Sequence, residues 1–119
     1  MLAKIIREEN FGKTVFYPEN CLLVELGDPQ KYSQQTHLSF PTTVHVLLTY
    51  RCPLKCPYCD QRNNNKHKRE LTTEEWKKVI DDIATSGAFM LAIGGGEPFL
   101  REDLFELTRY ASSKNIVVG

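Results

Sequence analysis

From Thr42 onward the spacing of hydrophobic positions changes repeatedly, and each change marks an element. Val44, Val46 and Leu48 alternate with His45, Leu47 and Thr49, the two-residue period of a strand. Leu47 makes this run more apolar than a surface strand needs, so a strand covered on both faces of a parallel α/β sheet is expected. From Thr72 the period lengthens to that of a helix. Trp76, Val79, Ile80 and Ile83 form one stripe, while Glu74, Lys77, Lys78 and Asp81 face water. The Thr72 hydroxyl can cap the helix start, Glu75 completes a capping box, and Gly87 is a natural stop. Phe89 to Ile93 reads as a second buried strand. A second helix is expected from about Arg101 to Ser113, with Leu104, Leu107 and Ala111 or Thr108 inward, and Ile116-Val117-Val118 opens a third strand. Right-handed crossovers would set these strands parallel.

Residues 1–41 read differently, as a β-rich extension and linker ahead of the α/β part at 42–119. Thr14 to Tyr17 and Cys21 to Leu26 are short β-formers separated by a Pro18-Glu19-Asn20 turn, so a hairpin is expected. Gly27-Asp28-Pro29 ends it, and the polar stretch from Gln30 to His37 reads as linker.

Composition narrows the function classes. The chain has 119 residues, enough for one small domain but not for two well-buried ones. Fifteen basic side chains balance fifteen acidic ones, so overall charge points to no polyanionic partner. Arg62, Lys66, Lys68 and Arg69 crowd one segment, but a solvated loop explains them better than phosphate contacts, and a nucleic-acid partner is not expected. No apolar run approaches the length that crosses a membrane, and charges come too early for a secretory leader. A cytoplasmic protein is the expectation.

Three of the four cysteines fall in eight residues, Cys52-Pro53-Leu54-Lys55-Cys56-Pro57-Tyr58-Cys59, directly after the first core strand. In a reducing compartment such clustering favours metal or cluster ligation over disulfides. Thiolates select zinc, copper(I) or iron–sulfur centres. Three ligands from one loop suit one corner of a cubane, each sulfur on a different iron, with the fourth iron open. Two readings of Cys21 stay open: a small buried hydrophobe beside Leu22 and Leu23, or a fourth ligand that would make a non-catalytic zinc or iron–sulfur module. Pro53 and Pro57 stiffen the loop, and the Tyr58 ring could cover a cluster or stack on a flat ligand.

The second strand runs into Gly94-Gly95-Gly96-Glu97-Pro98. Successive glycines allow close backbone approach, so exposed amides and carbonyls could meet a charged ligand. Glu97 offers a carboxylate to a cationic group or to a bracing hydrogen bond. Both loops leave the C-terminal ends of strands, the edge where α/β folds bind ligands. No substrate acid, base or radical relay can be assigned. Asp60, His45 and His67 are polar candidates at that rim, with His45 also readable as a satisfied core group.

These residues resemble the radical S-adenosylmethionine (radical SAM) superfamily. The CxxxCxφC signature is met by Cys52, Cys56 and Cys59 with Tyr58 as φ, and the GGE motif by Gly95-Gly96-Glu97. The flanking text from Thr49 to Leu54 and from Leu71 to Trp76 is similar to the branch of cofactor and ribosomal-peptide maturases. The resemblance implies a partial (β/α) barrel of about two and a half βα units. Cys52, Cys56 and Cys59 would ligate three irons of a [4Fe–4S] cluster, and S-adenosyl-L-methionine would chelate the fourth. Gly95, Gly96 and Glu97 would orient its methionyl amino group, with Tyr58 near the adenine. Reductive cleavage would give methionine and a 5′-deoxyadenosyl radical. The implied partners are a reductant such as ferredoxin or flavodoxin and a peptide or small-molecule substrate. The chain supplies only the first part of such a core. A truncated product, a fragment, or one part of a split assembly with a complementing chain or oligomer would equally account for that, and the isolated chain is expected to turn over little or not at all.

Overall fold

The computed structural model describes residues 3–34, 37–59 and 69–119. Asp60, Arg62, Lys66, His67 and Lys68 lie outside the described residues. The described residues form two three-stranded sheets.

The first sheet is an antiparallel meander of β1 (Ile5–Glu9), β2 (Gly12–Tyr17) and β3 (Leu22–Gly27), in that order. The expected hairpin is thus β2 and β3, with an added strand. β1 escapes notice because its charges look solvated, yet Arg7 is buried. Its guanidinium donates to Glu9 at 2.6 Å and to the Gly87 carbonyl at 2.8 Å, and lies over the Phe89 ring. Phe16 stacks on the same ring at 5.1 Å. Phe89 is fully buried between the meander and the core. Within the expected linker, Pro29–Gln34 forms a short helix, α1. Asp28 accepts from the Gln30 amide, and Pro29 presets the first helical φ.

The second sheet is parallel, in the order β4 (Thr43–Leu47), β5 (Met90–Gly94), β6 (Val117–Val118). Helix α2 (Thr73–Ser86) joins β4 to β5, and α3 (Leu104–Ser113) joins β5 to β6. The Thr72–Glu75 capping box forms as expected, and Gly87 closes α2 in the left-handed region at φ 91°. Trp76, Ile80 and Ile83 pack with Leu104, Leu107 and Ala111 against Leu48, Leu91 and Ile116, and Val44, Val46 and Ile93 border the cluster. Both helices therefore cover one face of the sheet. Thr108 instead turns its hydroxyl back to the Leu104 carbonyl.

The opposite face departs from expectation. His45 and Leu47 alternate away from the helices, and both are exposed, Leu47 by 42%. β4 is an edge strand covered on one side only, so His45 is not a satisfied core group. Alternating βα units with an uncovered inner face make an incompletely closed α/β barrel, preceded by a β-rich extension.

Candidate functional site

The β4 backbone sets the site. Beyond Leu47 the parallel ladder continues, with the Leu48 amide donating to Gly94 O at 3.0 Å. Past the strand ends it becomes a joint between two loops. Gly96 N donates to Thr49 O and Glu97 N to Arg51 O, each at 2.7 Å. The glycine turn is therefore bonded to the residues immediately before Cys52. The two informative loops share one rim, as the sequence suggests.

This joint also corrects one expectation. Of the turn's backbone groups, expected to be open to a charged ligand, the Gly96 and Glu97 amides are taken by Thr49 and Arg51. The glycines have a packing reason of their own. A Cβ on Gly95 would meet Thr49 O at 2.4 Å, with φ already at +137°; one on Gly96 would meet Arg51 O at 2.2 Å. Of Glu97's two anticipated roles, the bracing one is realised. Its Oε1 accepts from Phe99 N at 3.1 Å and caps the 3-10 turn Pro98–Leu100.

The cysteine loop projects from the joint. Cys52 and Cys59 are exposed and Cys56 is half-buried, all as free thiols; Cys59 N donates to Cys56 O at 3.2 Å. Tyr58 is 87% exposed, and Leu54 is exposed beside it. Among the described residues, no group of three His, Cys, Asp or Glu side chains is arranged to hold a single metal ion.

Cys21 fits neither of its readings. It is exposed, at φ 52°, on the turn between β2 and β3, so it is not a buried hydrophobe. That turn follows Phe16 and Tyr17, and Phe16 stacks on Phe89 just before β5 begins. The cysteine loop leaves the other end of the sheet. Cys21 therefore lies at the end of the sheet opposite the other three cysteines, where it does not complete a four-cysteine module.

Sequence reasoning missed the charged network beneath the joint. Glu70 Oε1 accepts from Thr49 Oγ1 at 2.7 Å and from Tyr50 N at 3.0 Å. Burial acts to raise this carboxyl, but those hydrogen bonds, with the charges of Arg51 and Arg101, hold it below its usual range. Arg101, itself buried, donates through Nη1 to Leu48 O at 3.1 Å and to Leu71 O at 3.2 Å. Its Nε and Nη2 grip both oxygens of Asp103, at 2.8 and 2.7 Å, and Thr73 Oγ1 adds a third bond at 2.7 Å. The Arg101 bonds, opposed by burial and reinforced by Thr73, bring the Asp103 carboxyl down to about 2. An Arg-Glu-Asp run directly after the 3-10 turn was the available signal. No periodicity marks it.

A parallel α/β rim carries three free thiols on one loop, bonded at its root to a glycine turn, and stands at the C-terminal edge of the strands, where α/β folds bind ligands. The comparisons make the class specific. The radical SAM superfamily is matched over residues 46–118, and the chain belongs to that superfamily. It is 41% identical over 86 residues to the PqqA peptide cyclase of Bradyrhizobium diazoefficiens, covering 71% of this chain and 22% of that protein. To the PqqA peptide cyclase of Rhodopseudomonas palustris it is 44% identical over 73 residues, 60% of this chain and 19% of that one. The chain thus spans about a fifth of the length of these curated relatives. In fold it is similar to Streptococcus suis SuiB bound to S-adenosylmethionine, with TM-score 0.79 at 16% identity, over 99% of this chain and 40% of that one. SuiB bound to the precursor peptide SuiA gives TM-score 0.77, also at 16% identity, over 99% and 41%. Among the described residues no helix is long and apolar enough to cross a membrane.

Proposed function

We propose that this chain supplies the iron–sulfur cluster and S-adenosylmethionine binding part of a radical SAM enzyme. One observation carries the reading: the root of the three-cysteine loop and the Gly-Gly-Glu turn are a single hydrogen-bonded unit through Thr49 and Arg51. A protein that must hold a cluster and its ligand side by side needs their two loops fixed to each other, and backbone bonds do that without occupying a side chain.

The donor set fits the group. Cys52, Cys56 and Cys59 would each hold a separate iron of a [4Fe–4S] cluster. Sulfurs on separate irons stand further apart than sulfurs around one ion, so a single-ion arrangement is not what the site requires. Gly95 and Gly96 keep the turn's floor low beside the cluster, and Glu97 would orient the amino group of S-adenosylmethionine with the carboxylate oxygen that Phe99 does not use. Tyr58, exposed at the loop tip, would lie against the adenine. When bound, the cluster would supply the electron that cleaves S-adenosylmethionine to methionine and a 5′-deoxyadenosyl radical. The chain's own residues bind, orient and exclude water.

The names of the relatives favour a peptide substrate, and the electron calls for a reductant such as ferredoxin or flavodoxin in the reducing cytoplasm. Turnover belongs, on this proposal, to the whole enzyme or to an assembly with a complementing chain.

Anaerobic reconstitution of the chain with iron and sulfide tests the reading. About four irons per chain are expected, with an electron paramagnetic resonance (EPR) spectrum of the reduced cluster that changes on adding S-adenosylmethionine. Stable zinc uptake with no iron–sulfur signal would refute it.

A further inference from the structure

Glu70 lies 21 positions after Thr49, beyond the cysteines, yet its carboxylate bonds the Thr49 hydroxyl and the Tyr50 amide. Arg101 makes the same junction a second time. Its Nη1 donates both to Leu48 O, before the loop, and to Leu71 O, after it, and stands 3.8 Å from Glu70 Oε2. The chain entering and leaving the cysteine segment is thus tied at one place by one carboxylate and one guanidinium. Thr49 links this tie to the glycine turn. Its hydroxyl donates to Glu70 and accepts from Arg51 N at 3.1 Å, while its carbonyl takes Gly96 N. Only 1% of Thr49 is exposed, so these bonds have little competition from water.

We propose that Glu70 and Arg101 are positioning residues that close the neck of the cysteine loop and, through Thr49, hold it in register with the glycine turn before any cluster is present. Bringing together two points so far apart in sequence costs loop-closure entropy. Without the neck, that cost would fall on assembling the cysteines around a cluster; with it, the cost is met by folding. Glu70 serves as the half-buried anion and Arg101 as the fork that reads two carbonyls, a geometry a lysine cannot copy. Asp103 in turn fixes the Arg101 plane through its bidentate contact.

The inference rests on the proposed function only for its purpose; the coupling itself is a property of the chain without cofactor. Amide hydrogen exchange on the cluster-free chain therefore tests it. Glu70→Ala is expected to speed exchange at Tyr50, whose acceptor is removed, and also at Gly96 and Glu97, which Glu70 does not touch, by about tenfold or more. The Leu107 amide in α3 is expected to keep its wild-type rate. Glu70→Gln, which retains an acceptor for Thr49 and Tyr50, should stay within about threefold of wild type at all of these amides. Unchanged exchange at Gly96 and Glu97 in Glu70→Ala would overturn the proposal, because a purely local role would disturb Tyr50 alone. Should Glu70→Ala not fold, Thr49→Val removes the central hydroxyl at nearly constant volume and carries the same expectation at Gly96 and Glu97, with Thr49→Ser as its rescue. After reconstitution, at matched iron content, Glu70→Ala should need about tenfold more S-adenosylmethionine for the same spectral change. A wild-type chain that takes up no iron would defeat the proposed function and leave the exchange result to decide the neck by itself.

Discussion

Gly96→Ala tests whether the two loops are joined as closely as the structure has them. A Cβ at position 96 would lie 2.2 Å from Arg51 O, 2.7 Å from Arg51 C and 3.0 Å from Tyr50 C, all backbone atoms that no rotamer can move aside. Carbon prefers neighbours at about 3.5 Å, so the turn and the 50–51 segment must separate by about 1 Å. That separation stretches Gly96 N to Thr49 O and Glu97 N to Arg51 O, both 2.7 Å in the native fold. Each backbone hydrogen bond contributes about 1 kcal/mol net, so the loss is about 2 kcal/mol, and more if the Thr49 carbonyl stays buried without a partner. With a urea slope of about 1.5 kcal/mol/M, the unfolding midpoint of the cluster-free chain should fall by about 1.3 M.

The same triplet contains its own control. A Cβ on Gly94 would have Leu47 Cδ2 at 3.6 Å and Val46 O at 3.7 Å as its nearest neighbours, which is ordinary contact. Gly94→Ala should stay within about 0.5 kcal/mol of wild type, or gain slightly from the reduced freedom of its unfolded chain. Equal unfolding midpoints for the two variants would show that Gly96 is not pressed against Arg51, and the joint would have to be abandoned. Because the measurement needs no iron, it separates the packing demand on these glycines from any role toward S-adenosylmethionine.

The Asp103 carboxyl titrates at about 2 in the fold against an ordinary value of 3.8, so its stabilisation is full above about pH 4 and disappears as pH falls toward 2. The shift corresponds to about 2 kcal/mol; Asp103→Asn should lose that much at pH 7 and flatten urea stability between pH 4 and 2, whereas a profile parallel to wild type would contradict the assignment. At the other end of the sheet, Arg7→Ala strands the buried Glu9 carboxylate on the Ser39 amide and should cost about 3 kcal/mol. Arg7→Met with Glu9→Leu should cost less than Arg7→Ala alone, and strict additivity in the cycle would show that the two charges do not couple.

What the sequence disclosed follows a physical division. Helix α2 was readable because its information is local: Thr72 and Glu75 cap each other across three residues, and Trp76, Ile80 and Ile83 recur at the helical period. The rim was readable because chain order alone places both loops after parallel strands. β1 was not, because Arg7 and Glu9 look like a solvated run until Gly87 and Phe89, 80 or more positions from Arg7, and Ser39, 30 from Glu9, provide their partners. Cys21 has the neighbours of a core residue, but only the turn at its positive φ reveals that it faces out. His45 followed the right period while the face it points to lacked a cover. Glu70 and Arg101 were the costliest omission. Neither sits in a periodic pattern, and three of the bonds that make the neck go to backbone atoms, Tyr50 N, Leu48 O and Leu71 O, which every residue possesses and no motif can mark.

The anchoring of the rim is uneven, and that bears on the chemistry proposed for it. Cys52 follows Arg51, whose carbonyl is bonded to the glycine turn, so the sheet fixes where the first thiol begins. Cys56 and Cys59 are related to each other by their own turn, through Cys59 N to Cys56 O, and that turn stands in solvent. On the reading proposed, one ligand is placed by the fold and two by the loop together with the irons they hold. Mutations at the neck or the glycine turn should therefore move all three thiols relative to Glu97, whereas a change at Leu54 or Lys55 should alter only how the second and third meet the first. Register between cluster and S-adenosylmethionine is in this way a backbone property, and it is set where side chains are few and small.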